Sequence, residues 1–88
     1  MEWDINLSYL NKILRKKIKH ALAKYAGIDT DLVKIDIHDD MIVLNGIVTF
    51  PHQKEDADLI INLITKGATA LINNLRIEPE YLDAEAFT

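Results

Sequence analysis

Apolar residues in the first third of the chain fall at steps of three and four: Leu7, Leu10, Leu14, Ile18, Ala21, Leu22 and Tyr25. That is the period of a helix with one buried side, so the spacing predicts an amphipathic helix over residues 7–25. Its start is open between Asp4, Ser8 and Asn11, each able to offer a side-chain oxygen to free amides. Gly27 predicts its end, because glycine takes the left-handed position that closes many helices.

The period then drops to two. Val33, Ile35 and Ile37 alternate with Lys34, Asp36 and His38, and after Asp39-Asp40 a second run, MIVLNGIVTF, keeps Ile42, Leu44 and Val48 in phase. This predicts two strands joined by a tight turn. Pro51 suits the first turn of a helix, where Glu55, Asp56 and Asp58 favour the positive end of the dipole. Ala57, Ile60, Ile61 and Ile64 form its buried stripe, and Gly67 closes it after Lys66. Leu71, Asn73, Leu75 and Ile77 then alternate with Ile72, Asn74 and Arg76 as a third strand ending before Pro79. The expected fold is α+β: an αββαβ two-layer sandwich with two helices on one face of a three-stranded mixed sheet. The first strand pair is expected to be antiparallel. The helical crossover makes the second and third strands parallel if they are neighbours.

With 88 residues the chain is one small domain, and 2 Pro and 3 Gly against 49% hydrophobic residues describe a folded protein. There is no cysteine, which excludes disulfides, thiolate metal sites and a cysteine nucleophile. MEWDINLSYL carries two acids and no basic stretch, unlike a secretory signal, and no apolar run reaches the roughly 20 residues of a membrane span. The compartment is left open: cytoplasmic as the sequence stands, periplasmic or envelope if a leader was removed. The net charge of −4 hides an asymmetry, with six bases and no acid over residues 12–24 but twelve acids and four bases from residue 28 onward. The acidic bulk makes nucleic acid an unfavoured partner.

Three blocks of residues resemble the BON domain, a bacterial module named from osmotic-shock and nodulation proteins. Leu14, Ile18, Ala21 and Leu22 are similar to its first helix, which ends in an Ala-Leu pair. Leu44, Gly46 and Val48, within VKIDIHDDMIVLNGIV, stand where its hairpin has Leu, Gly and Val. Gly67, Leu71, Asn73, Leu75 and Ile77 fit its closing pattern, and Ala57 its helix alanine. The resemblance divides the chain into an N-terminal extension or first helix turns over 1–10, a BON-like domain over 11–78 and an acidic tail over 79–88, either a short helix or frayed. It implies a non-enzymatic binding module, commonly of the bacterial envelope and proposed to contact phospholipid, with some cytoplasmic relatives, one of them potassium-responsive. Asp40 stands at the usual turn glycine, where Asp tolerates left-handed backbone better than most residues. Ala68 replaces a usual Val, and the link from Ala57 to Gly67 is one residue longer than typical. Only one copy of the module is present, although the family often occurs in tandem.

Helical spacing puts Lys12, Arg15, Lys16 and Lys19 opposite the apolar stripe, flanked by Lys17 and Lys24. A solvated helix face normally mixes signs, so these six are the candidate surface for anionic lipid or an acidic protein partner related to the envelope or to stress. No aromatic or glycine-rich motif accompanies them as a nucleic-acid platform would require. Met41, Val43, Ile47 and Ile72 fall on the outer sheet face, and Leu59 and Leu63 on the outer side of the second helix. These aliphatics are the candidate interface for a partner or a homo-oligomer, the alternative being cover by the tail. His20, His38 and His52 lack metal-ligand spacing, Asp36, Asp39 and Asp40 lack a calcium-loop pattern, and Ser8 has no nucleophile context. No cofactor and no catalysis are expected.

Overall fold

The computed structural model describes residues 2–79, with side chains from Tyr9 onward. Helix α1 spans Glu2–Ala26, a 3-10 turn follows at Thr30–Leu32, strands β1 (Val33–His38) and β2 (Met41–Val48) form a hairpin, and helix α2 (Pro51–Thr65) leads to strand β3 (Ala70–Ile77). The sheet order is β1-β2-β3. β1 and β2 are antiparallel, with Ile35 opposite Leu44, and β2 and β3 are parallel, with Leu44 opposite Asn73. The expected α+β fold with a three-stranded mixed sheet and two helices is the observed one.

Both helices cover the same sheet face. Ile18, Leu22 and Ala26 of α1 and Ala57 and Ile61 of α2 are buried with Ile35, Ile42, Leu44, Val48 and Leu75 of the strands. Because the core line of α1 advances by four residues, Leu14-Ile18-Leu22-Ala26, it passes beside Tyr25, which is 70% exposed rather than part of the buried stripe. Leu10 is also exposed, against expectation. The 25 residues of α1 make about 37 Å of helix, whereas an eight-residue strand covers about 26 Å. The N-terminal turns of α1 therefore run past the sheet, and the three expected caps Asp4, Ser8 and Asn11 all lie inside the helix. Gly27 ends it with φ 65, and Ile28, buried directly after it, donates its N–H to Leu22 O at 3.2 Å.

Two turns differ in detail from the sequence reading. In the hairpin the left-handed residue is Asp39 (φ 51), not Asp40. At the end of α2 the left-handed backbone begins at Lys66 (φ 56) and continues through Gly67 (φ 72), whose N–H donates to Asn62 O. Gly46 has φ 136, and a Cβ there would sit 2.8 Å from Val33 Cα on the neighbouring strand. The close approach of β1 to β2 thus requires glycine.

Among the described residues Gln53 is the one buried polar side chain. Its Oε1 accepts from the backbone N–H of Thr49 and Phe50, which satisfies the entry to α2. Its Nε2 donates to Ala26 O at 3.3 Å and Gly27 O at 3.1 Å, at the end of α1. One amide therefore ties the start of the second helix to the close of the first. The tail, expected as a short helix or frayed, lies outside the described residues beyond Pro79.

Candidate functional site

The six bases of α1 are all exposed. Between residues 12 and 24 the helix carries no acid, so no i, i+4 pair of opposite sign can form along this stretch. Among the described residues the only salt bridge is Arg76–Glu78, on β3 and just after it, so none of the six is neutralised there. Asp58 of α2 instead accepts from Asn73 Nδ2 at 2.9 Å.

The bases do not form one flat face. Lys12 and Lys16 point away from the sheet by helical spacing. Arg15 and Lys19 turn toward the edge of β1, where Arg15 Nε donates to Ile35 O at 3.2 Å. By helical spacing Lys17 and Lys24 fall on the side of Ala21 that borders α2, and Lys24 Nζ sits 5.4 Å from the centroid of the Tyr25 ring. Positive charge therefore wraps around three sides of the helix.

Between the two helices runs a groove of about 370 Å³ lined by Ala21, Tyr25, Ile60, Leu63 and Ile64. Ile60 and Ile64, expected in the buried stripe of α2, are half-buried and form its wall, and Leu63 on its rim is 78% exposed. Leu59 is 62% exposed one turn away. The sequence reading placed Leu59 and Leu63 outside but missed the groove. Tyr25 could have revealed it, being a large aromatic on the last turn of a helix whose core line is carried by smaller Ala26.

The outer sheet face is separate. Met41 and Val43 are half-buried beside exposed Ile72, which pairs with Val43, whereas Ile47 pairs with Arg76 across the row formed by Asn45 and Asn74. Asn74 Nδ2 donates to Asn45 Oδ1 at 3.5 Å in that row. The six candidate interface aliphatics therefore divide between opposite sides of the molecule. No three His, Asp or Glu side chains converge as a metal site among the described residues. No described helix is long and apolar enough to cross a membrane.

Comparison with curated proteins finds no match to this chain. The family model described as BON domain matches residues 11–79.

Proposed function

The chain belongs to the BON domain family of binding modules, and from that premise we propose that it docks on anionic phospholipid surfaces through α1. The observation that carries this reading is the set of six exposed bases on α1 without a salt-bridge partner among the described residues. Each base brought close to an anionic bilayer contributes about 1 kcal/mol, so three or four contacts give reversible, salt-sensitive attachment. The groove between the helices supplies an apolar element on the same side as Lys17 and Lys24. Seating Leu63 among acyl chains would add about 2 kcal/mol. Attachment then has a charged part that salt screens and an apolar part that it does not.

Co-sedimentation with vesicles tests the reading. Binding to anionic vesicles, absence of binding to neutral ones and release by added salt are the expected results. Equal binding to both compositions, or none to either, contradicts it.

A second reading is favoured by the exposure of Leu63 and Leu59 beside an apolar groove: self-association through the helical face. Sedimentation without lipid is then expected to show a dimer or larger species that Leu63→Glu dissociates. A strictly monomeric wild-type protein at high concentration contradicts that reading and leaves the lipid reading standing.

A further inference from the structure

The two edges of the sheet are not alike. Ala70 N donates to Asp40 O and Glu78 N to Val48 O, which turns the even-numbered residues of β3 toward β2 and the odd-numbered ones outward. On that outer edge, Leu75 N–H is already taken by Asn73 Oδ1 at 3.1 Å, and Asn73 Nδ2 donates to Lys54 O of α2. The β3 edge is blunted by its own side chain.

The β1 edge is occupied over its first residues and open beyond them. The two-residue turn at Asp39-Asp40 makes His38/Met41, Asp36/Val43 and Lys34/Asn45 the hydrogen-bonded pairs, so Val33, Ile35 and Ile37 direct their backbone groups away from β2. Val33 N–H donates to Thr30 O, and Ile35 O accepts from Arg15 Nε. The N–H groups of Ile35 and Ile37 and the Ile37 carbonyl have no protein partner among the described residues. Beside them runs a groove of about 320 Å³ lined by Arg15, Lys19, Val33, Lys34, Ile35 and Asp36. Three bases face one acid in it, and none of the four is in a salt bridge among the described residues.

We propose that β1 is a strand-addition site for an acidic, extended peptide. The peptide backbone pairs with the Ile35 N–H and with both backbone groups of Ile37 as a fourth strand, Ile35 O staying with Arg15 Nε, and carboxylates on alternate residues reach Arg15 and Lys19 from the helix side. Arg15 is suited to this because its Nε is held by Ile35 O, leaving both Nη groups for a carboxylate. A second copy fits less well. Antiparallel pairing of two β1 strands about Ile35 would set Lys34 of each copy opposite Asp36 of the other, but would bring Arg15 and Lys19 of both copies into one groove as four like charges. The inference goes beyond membrane docking and does not rest on it, since Lys12, Lys16 and Lys17 lie outside this groove.

The test uses the full chain and short synthetic peptides of alternating glutamate and valine, with alternating lysine and valine as the control. Amide NMR is expected to show the Ile35 and Ile37 N–H groups becoming protected from exchange on adding the glutamate peptide only. Lys19→Glu together with Lys34→Glu is expected to weaken binding at least about tenfold. Backbone N-methylation of every second peptide residue should abolish binding in one phase and leave it intact in the other, because only one set of amides faces β1. Equal tolerance of both phases would show carboxylates merely resting on a basic surface and would overturn the proposal. So would equal binding of the lysine peptide, no binding at about 1 mM peptide, or protection of Ile35 and Ile37 that rises with protein concentration alone, the mark of a second copy.

Discussion

At the scale of single residues, Gly46 and Gln53 hold positions that neighbouring atoms impose. Gly46→Ala would force a Cβ against β1 at a φ that side chains rarely adopt, and is expected to cost about 3 kcal/mol in urea unfolding. Gln53→Leu keeps the volume but leaves the Thr49 and Phe50 amides and the Ala26 and Gly27 carbonyls without that partner, for an expected loss of about 2–3 kcal/mol. Unfolding midpoints within error of wild type would contradict either account. Gly46 was legible as part of the family pattern, though the contact that demands it was not. Gln53 carried no signal, because a glutamine near the start of a helix is ordinary until the end of another helix is found 26 and 27 residues away in sequence.

At the scale of elements, β1, β2 and α2 were legible almost to the residue, because period-two alternation, Pro51 and the aspartate pair each act locally. The beginning of α1 was not, since three competent capping residues inside a helix look the same as caps in sequence. Nor was the fate of Tyr25, which depends on which i, i+4 line the sheet selects as its core. The basic residues were named correctly from spacing as exposed, but their division into an outward set, a β1-edge set and a groove-side set requires the neighbouring elements. Asn73, read only as a family asparagine, proves to guard the β3 edge and to tether α2. Asn73→Leu is therefore expected to lower stability by about 1–3 kcal/mol and to raise self-association in sedimentation, by freeing the outward Leu75 N–H. Destabilisation without any added association would leave only the tether.

At the scale of the whole molecule, an acidic protein keeps a positive helix whose charge is not cancelled by a salt bridge among the described residues. Folding alone does not demand this, because acids at some of these positions would give favourable pairs along the helix. Lys12, Lys16 and Lys17 can be reversed to Glu without touching a core side chain, so circular dichroism of the triple variant is expected to match wild type. Affinity for anionic vesicles, measured for the wild type and for this variant at low and near-physiological salt, tests the central claim most directly. The account predicts that wild-type binding weakens as salt rises and that the folded variant binds at least about 100-fold more weakly at low salt, the equivalent of about 1 kcal/mol for each of three lost contacts. Affinity unchanged by both salt and charge reversal would contradict it.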